Sequence, residues 1–387
     1  FVGPELMEAY PRGVSSYGHS LGVQYVLEGR EEEFFYFPWL GFHYAFAGLS
    51  DLTDIGHPAM IRFGLLVMYI ALAAGLVTLF GRALPDRKSV LLATLTSLAM
   101  AAVLGVGFVP HQMAFVLMLF ALAFLVRLEA NPVANRIALI GLFGAIVVTH
   151  GLSALVLVYV AAVAALVRWK RPATAGSWSP GPASLSLLFA TVFVAWLMYS
   201  SDFWFPAALE SFRDTVLREP VAFTAPFSHV SPVREGAGRA DVSLLNLAFL
   251  AVLMIWLLSL VATRRFWKNL SRERLFPLLV VAGMPLLVMG SGSFAFEGFL
   301  RVFLYAIPFL AWFLARESRA RRSAVAFLVV LLGLGFVTLY AREFEELPTS
   351  QQFAGANFLA GAAGADQSVI QGECLSIGAI THTVDAP

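Results

Sequence analysis

The first 30 positions contain one set of titratable residues that could do chemistry. Residues 10–29 read YPRGVSSYGHSLGVQYVLEG, and Glu5 and Glu8 come just before them. A carboxylate here could serve as the general base for an acceptor hydroxyl or help to hold a divalent cation, while His19 would orient a reacting group. The alternative for each residue is a solvated loop side chain. The sequence does not identify a cofactor, and a divalent cation is the candidate.

A second candidate lies late in the chain, in SGSFAFEGFLRVFLYAIPFL at residues 291–310. Glu297 and Arg301 are four residues apart, which places them on one face of a helix. Arg301 could bind a phosphate or pyrophosphate with its guanidinium. Alternatively, it reaches the membrane interface from the mouth of a span and pairs with Glu297.

Two histidines stand beside apolar runs. His150 separates two such runs in VVTHGLSAL, where it could bind a substrate phosphate or simply form a polar link between helices. His43 lies in the aromatic stretch FFYFPWLGFHYAFAGL and is a further candidate for substrate contact. His111, in VPHQM, is expected to be a loop residue at a membrane turn.

Several chemistries find no support in the sequence. It contains no Walker motif, GxSxG, HExxH or cysteine-based metal pattern, and Cys374 is the only cysteine. The basic residues are spread over many short segments instead of forming one patch, so no nucleic-acid partner is indicated.

The elements that must position these residues are membrane spans. Of the 387 residues, 59% are hydrophobic and 13% are charged, against about 25% charged in soluble domains. The fold class predicted is an all-α polytopic membrane protein with about ten transmembrane helices and interfacial helices in its outer loops. The apolar segments are 60–81, 89–109, 111–126, 137–149, 152–167, 183–199, 243–262, 275–290, 302–315 and 323–340.

One pair of segments has two interpretations. Residues 137–149 and 152–167 are shorter than the roughly 20 residues that a bilayer core requires. They could be two short spans, or one broken and partly re-entrant helix.

Orientation follows from lysine and arginine, which prefer the cytoplasmic side. If the N-terminal loop is outside, 17 of the 26 basic residues fall in inner connections. We therefore expect an integral protein of a prokaryotic cytoplasmic membrane with both terminal segments outside. The predicted organisation is a first outer loop (1–59), a transmembrane domain (60–340) with an outer amphipathic loop at 200–242, and an outer C-terminal segment (341–387).

The outer loops contain amphipathic patterns. Residues 16–28 are predicted to form an amphipathic helix, and 34–49 an interfacial helix or, alternatively, a short extra span. The apolar side of the first of these helices is predicted to comprise Leu21, Tyr25, Val26 and Leu27.

The remaining outer segments suggest further structure. The loop at 200–242 begins as a juxtamembrane helix and could be a lid or a spacer. The tail resembles the start of a soluble α/β domain, so the chain is expected to continue beyond residue 387 or to carry a very small domain. A segment is also expected to precede Phe1.

The order of these parts resembles the membrane domain of GT-C fold glycosyltransferases, particularly the oligosaccharyltransferase-like and mannosyltransferase-like members. The resemblance covers most of the chain and rests on YPRG…SYGHSLGVQYVLEG, FYFPWLGFHYAFAGL, THGLSA, WLMYSSDFWF, FEGFLRVFLYAIPFLA and SQQFAGANFLA. It implies a polyprenyl-phosphate-linked sugar donor, transfer on the outer face, and a catalytic acid in the first outer loop.

One position departs from the family pattern. The expected segment Gly-x-Asp-x-x-x-His reads GVSSYGH at residues 13–19, with Ser15 and Ser16 where the acid is expected. By this resemblance, either Glu5 or Glu8 supplies the carboxylate, or the protein has kept the fold and lost the reaction. Arg301 matches the late position where family members place a basic residue near the lipid phosphate.

Three functions follow from these patterns. The first is a glycosyltransferase that uses a polyprenyl-phosphate sugar donor. The second is a non-catalytic GT-C-like subunit that binds membrane lipids and protein partners in a larger envelope complex. The third, a transporter, is disfavoured because the spans show no internal repeat and few charges at mid-membrane.

Overall fold

Ten α-helices and one 3₁₀ turn form the described part of the chain. The computed structural model describes residues 14–33, 39–104, 108–170, 182–199, 272–288 and 295–316, and these ranges contain no strand. The 3₁₀ turn is Glu31–Glu33. The helices are α1 (Val14–Leu27), α2 (Gly41–Thr53), α3 (His57–Ala83), α4 (Arg87–Leu104), α5 (Pro110–Val126), α6 (Pro132–Thr149), α7 (Gly151–Lys170), α8 (Pro182–Tyr199), α9 (Arg272–Val288) and α10 (Ala295–Arg316).

The all-α prediction is confirmed for these residues. Helices α3 to α10 correspond to eight of the ten predicted apolar segments, while 243–262 and 323–340 lie outside the described residues. The loop at 200–242 and the segment 341–387 also lie outside them, so the domain boundaries stay predictions. Among the described helices, three are long and apolar enough to cross a membrane, over Ala59–Ala83, Pro132–Thr149 and Gly151–Arg168.

Helix α3 illustrates why these helices suit a bilayer. Its inner face is buried, as at Ile61 and Leu65, yet its outer face is also apolar, with Phe63 54% exposed and Ile70 62% exposed. A helix that is hydrophobic all round is typical of a large protein core or of a membrane span. With its outer face uncovered in the described structure, a lipid environment accounts for this pattern.

The uncertain pair of segments forms two full helices. Asn131 caps α6 by accepting a hydrogen bond from the Ala134 backbone N–H, and His150 alone separates α6 from α7. At the far end of α7, Arg168 forms an ion pair with Glu129, which comes just before α6. The two helices therefore run antiparallel, and each extends a few residues beyond its apolar run.

One tyrosine of α7 forms hydrogen bonds to the backbone of α9. The Tyr159 hydroxyl donates to the backbone carbonyl oxygens of Leu279 (2.9 Å) and Val280 (3.2 Å). A side chain at Gly283 would collide with that hydroxyl, so only glycine permits this approach. This contact belongs to the main core, which α3 to α10 share.

A second, smaller core lies under the first loop. The rings of Phe42, Phe46 and Phe108 pack within 4.6–4.8 Å of one another, centroid to centroid. Val23 of α1 and residues of the first half of α3 complete this cluster. The first loop is thus folded onto the helix bundle.

The predicted helices of the first loop require two corrections. The predicted amphipathic face of 16–28 is only partly right: Leu21 and Val26 pack against the small core, but Leu27 is 43% exposed, while Ser20 is fully buried. The face is shifted because α1 packs against α2, not against a flat interface. The second helix spans Gly41–Thr53, so it ends four residues beyond the predicted 34–49, and Trp39 and Leu40 precede it without helical structure. Residues 34–38 of that prediction lie outside the described residues.

The helices give the bundle two ends with different chemistry. Near one end, called the histidine end, are His111, Gln112, His150, Ser153 and Tyr305. At the other, called the arginine end, are Arg82, Arg127, Arg168 and Trp312.

Candidate functional site at the histidine end

His150 occupies a sharp chain reversal. Its backbone is extended (φ −161°, ψ 114°), and its N–H still donates to the Ile146 carbonyl at 2.9 Å. Helix α6 therefore ends on this residue and α7 begins at Gly151. The His150 side chain is only 4% exposed, so the reversal places an imidazole inside the bundle.

A chain of hydrogen bonds starts from this imidazole. Nδ1 of His150 lies 2.8 Å from the Ser153 hydroxyl and 3.3 Å from the Ser153 backbone N–H. The Ser153 hydroxyl in turn contacts the Tyr305 hydroxyl. Ser153 and Tyr305 are both fully buried. The resulting connection joins α7 to α10 across 152 residues of sequence.

The Ser153 backbone N–H determines which groups donate and which accept in this chain of hydrogen bonds. A backbone N–H can only donate, so Nδ1 of His150 must be an acceptor and the ring must carry its proton on Nε2. The Ser153 hydroxyl then donates to Nδ1 and accepts from the Tyr305 hydroxyl. His150 is thereby assigned the tautomer that carries its proton on Nε2.

Helix α5 contributes further polar groups. The His111 ring lies 6.0 Å from that of His150, centroid to centroid, and Phe115 packs edge-on against Tyr305. Gln112, one turn before Phe115, is fully buried, and its amide oxygen and nitrogen have no hydrogen-bond partner among the described residues. A buried primary amide normally has partners because its desolvation costs about 1–3 kcal/mol. Gln112 is therefore a candidate for direct contact with a polar ligand.

The first loop covers this region. A side chain at Gly41, the first residue of α2, would come within 2.7 Å of the Thr149 hydroxyl and 2.9 Å of a Val148 methyl group. A methyl group on Gly151 would similarly lie only 3.0 Å from the Trp39 indole. The two glycines let the start of α2 lie directly on the reversal at His150.

The first-loop histidines bind each other. Nδ1 of His19 lies 3.1 Å from Nε2 of His43, and the two rings are 5.3 Å apart at their centroids. His19 is 8% exposed and His43 is fully buried, with Phe42 edge-on to both rings. Burial lowers the pKa of His43 to about 3, so this imidazole is neutral at physiological pH.

A polar contact also fixes the connection between α1 and α2. The Tyr44 hydroxyl donates to a carboxylate oxygen of Glu31 at 3.2 Å. Desolvation, followed by the negative charge of Glu31 and this hydrogen bond, raises the pKa of Tyr44. The 3₁₀ turn Glu31–Glu33 is thus attached to the exposed side of α2.

The other candidates are placed in part. Glu297 and Arg301 both belong to α10, which runs without interruption from Ala295 to Arg316. Arg301 precedes Tyr305 by one helical turn, so the backbone of Arg301 lies about 6 Å from that of Tyr305 along the axis of α10, towards its N-terminus. Glu5 and Glu8 lie outside the described residues. Ser15 and Ser16 fall in the first turn of α1.

Sequence reasoning identified His150 but not its partners. Ser153 had a usable signal, because a residue three positions after a helix-start histidine lies within reach of its ring. Tyr305 had none, since only the packing of α7 on α10 brings it to Ser153. The prediction that His111 is a loop residue at a membrane turn is wrong, because His111 and Gln112 both lie in the first turn of α5.

Comparisons with known proteins leave this site to be interpreted from its own geometry. No protein-family model, no curated protein and no solved structure matches the chain. Within the described ranges, no group of three or more histidine, cysteine, aspartate or glutamate residues is arranged to hold a metal ion.

Proposed function

We propose that the chain is a membrane glycosyltransferase of the GT-C type that moves a sugar from a polyprenyl-phosphate-linked donor to an acceptor on the outer membrane face. The observation that carries the proposal is the buried chain His150–Ser153–Tyr305, one helical turn from Arg301 and covered by the first loop. A lipid-linked donor requires a phosphate site at a membrane surface, and His150 together with Arg301 would supply it.

The proposed reaction assigns a role to each group. An acceptor hydroxyl oxygen attacks the anomeric carbon of the sugar, and the bond from that carbon to the phosphate oxygen breaks. Polyprenyl phosphate leaves, and the hydroxyl proton passes to Glu5 or Glu8. Arg301 binds the leaving phosphate, and His150 donates to it through Nε2–H.

The hydrogen-bond chain would support this role by fixing the His150 ring. With Nδ1 held as an acceptor, the ring cannot rotate without losing its bonds to Ser153. A preorganised donor of this kind is effective because no reorganisation is needed during reaction. His19 and His43, being hydrogen-bonded to each other, would hold α1 against α2 instead of touching the substrate.

The test is sugar transfer in reconstituted membranes with a labelled lipid-linked sugar. Glu5→Ala combined with Glu8→Ala should abolish transfer, and Arg301→Gln should reduce it by about tenfold or more. Glu32→Ala, an exposed acid in the same loop, is the matched control and should transfer normally. Full activity in the double variant would remove the proposed base.

A second candidate function is a non-catalytic GT-C-like subunit that binds lipid or scaffolds a membrane complex. It is favoured by the first loop itself, where the family's acid is absent and both histidines are buried in an internal pair. This alternative predicts stable co-purification with partner subunits and no turnover of any lipid-linked sugar.

A further inference from the structure

At the arginine end, five helices line a cavity of about 480 Å³. It is formed where α3, α5, α7 and α10 end and where α9 begins, and its size falls within the roughly 300–1,000 Å³ typical of ligand sites. The charged and indole-bearing residues of its wall are Arg82, Arg127, Glu129, Arg168 and Trp312.

The three guanidinium groups of the cavity are held in different ways. Arg82 donates through Nη1 to the Ala123 carbonyl at 3.2 Å and lies over the Phe124 ring. Arg127 donates through Nε to the Arg82 carbonyl at 3.1 Å. Arg168 is paired with Glu129 at 2.7 Å. Arg82 and Arg127 therefore have their backbone-facing nitrogens anchored and no carboxylate of the described residues to neutralise them.

An indole N–H completes the set of donors. Trp312 is 4% exposed, and its Nε1 has no hydrogen-bond partner among the described residues. Buried indole nitrogens usually find an acceptor. Trp312 lines the same cavity as two guanidinium groups that have no carboxylate partner among the described residues, so an acceptor that is also an anion would suit this site.

We infer that this cavity binds a phosphate monoester or diester anion, through the guanidinium of Arg127, that of Arg82 and the indole N–H of Trp312. Arginine presents paired donors that match phosphate oxygens, and basic pockets between membrane helices are suited to anionic headgroups. The shared chemistry has two sources, the headgroup of an anionic membrane lipid or a free phosphate. The site is separate from the histidine end and does not depend on the proposed transferase activity.

The experiment is calorimetric titration of the purified full chain in neutral detergent with three probes: short-chain phosphatidylglycerol, short-chain phosphatidylcholine and inorganic phosphate. Phosphatidylglycerol should bind and phosphatidylcholine should not. Arg127→Gln should weaken that binding by about tenfold or more, and Trp312→Phe by about fivefold. Arg136→Gln is the matched control, because Arg136 belongs to α6 near the same end but does not line the cavity.

Each outcome has a distinct meaning. Binding of inorganic phosphate but not phosphatidylglycerol, with the same dependence on Arg127 and Trp312, supports the phosphate site and identifies a free phosphate as its source. Equal binding of phosphatidylcholine, equal weakening by Arg136→Gln, or no binding of any probe would overturn the inference.

A second variant keeps the test decisive if Arg127→Gln fails to fold. Glu129→Gln removes the carboxylate that pairs with Arg168 and so adds an uncompensated charge at the cavity. It should strengthen binding of the anionic probe several-fold. Weaker binding in Glu129→Gln would contradict the proposed site.

Discussion

The two ends of the bundle use polar side chains in opposite ways. At the histidine end, His150, Ser153 and Tyr305 are buried and satisfy one another in a neutral chain. At the arginine end, Arg82 and Arg127 line a cavity and have more N–H donors than the described residues use. At the histidine end the hydrogen bonds hold the His150 ring in place, whereas at the arginine end the cavity leaves room for a ligand to supply an acceptor.

The difference has a physical origin in the side chains themselves. A hydroxyl and a neutral imidazole have few hydrogen-bonding sites, so one or two neighbours satisfy them inside a bundle. A guanidinium has five N–H donors and a permanent charge, so the single backbone carbonyl that each of Arg82 and Arg127 contacts cannot satisfy it. We therefore expect stability to depend mainly on the histidine end, and anion affinity on the arginine end.

The largest effect expected is acid destabilisation through His43. Its pKa is about 3 in the folded protein and about 6.5 when unfolded. Below pH 6.5, His43 binds a proton in the unfolded chain but not in the folded protein. The free energy of unfolding therefore decreases as the pH falls towards 3. The loss from this group alone reaches about 4 kcal/mol at pH 3.

The measurement is the free energy of unfolding between pH 8 and pH 4 for the wild-type protein and for His43→Gln. The difference between the two proteins isolates His43 from the carboxylates that titrate in the same range. The variant should show a flatter profile below pH 6.5. Parallel profiles would mean that burial does not keep His43 neutral in the folded protein.

The next effect concerns the hydrogen-bond chain. Ser153→Ala removes one bond to His150 and one to Tyr305, and should cost about 2 kcal/mol of unfolding free energy. Thr191→Ala is the control, since Thr191 is exposed on α8 and bonds only within its own helix. It should change stability by less than about 0.5 kcal/mol. Equal effects of the two substitutions would show that the hydrogen bonds of Ser153 to His150 and Tyr305 contribute no more to the free energy of unfolding than a bond within one helix.

Two glycines of α2 test whether the first loop is seated on the bundle. Gly41→Ala places a methyl group against Thr149 and Val148, and overpacking of this kind costs about 1–3 kcal/mol. Gly48→Ala meets nothing within 4 Å, so the better helix propensity of alanine should stabilise the protein by about 0.5–1 kcal/mol. Thermal unfolding of the two variants should therefore shift in opposite directions. A shared direction would argue against the contact between α2 and the reversal at His150.

The smallest effect is expected at the arginine end. Glu129 is 53% exposed in its pair with Arg168, so Glu129→Gln should change the free energy of unfolding by less than about 1 kcal/mol. The same substitution should raise anion affinity. A large loss of stability would mean that this ion pair supports the helix ends, and the contrast between the two ends would fail.

Helix positions were largely predictable because apolar runs and helix caps are local signals. The extra residues at the start of α6, beyond the predicted 137–149, follow from the Asn131 cap and the proline after it. The antiparallel pairing of α6 and α7 was left open, since a short apolar run suits both a span and a re-entrant segment. Its resolution depends on contacts such as Arg168 with Glu129.

The candidate site was predictable only one residue at a time. His150, His43 and His19 drew attention as polar residues among apolar ones. Their neighbours could not be read from spacing: His19 reaches His43 because α1 packs on α2, and Tyr305 reaches Ser153 because α7 packs on α10. Such pairs depend on packing between helices, and this packing produces no periodic pattern in the amino-acid sequence.

The sequence by itself determined an all-α chain of apolar helices, the approximate bounds of eight of them, and the concentration of arginine near particular helix ends. These features are local, because apolar composition and charge are set residue by residue. Only the tertiary structure decided which polar groups are satisfied by a neighbour and which still face a cavity. That outcome depends on the distances between helices: at the histidine end they bring donor to acceptor, and at the arginine end they leave space between guanidinium groups.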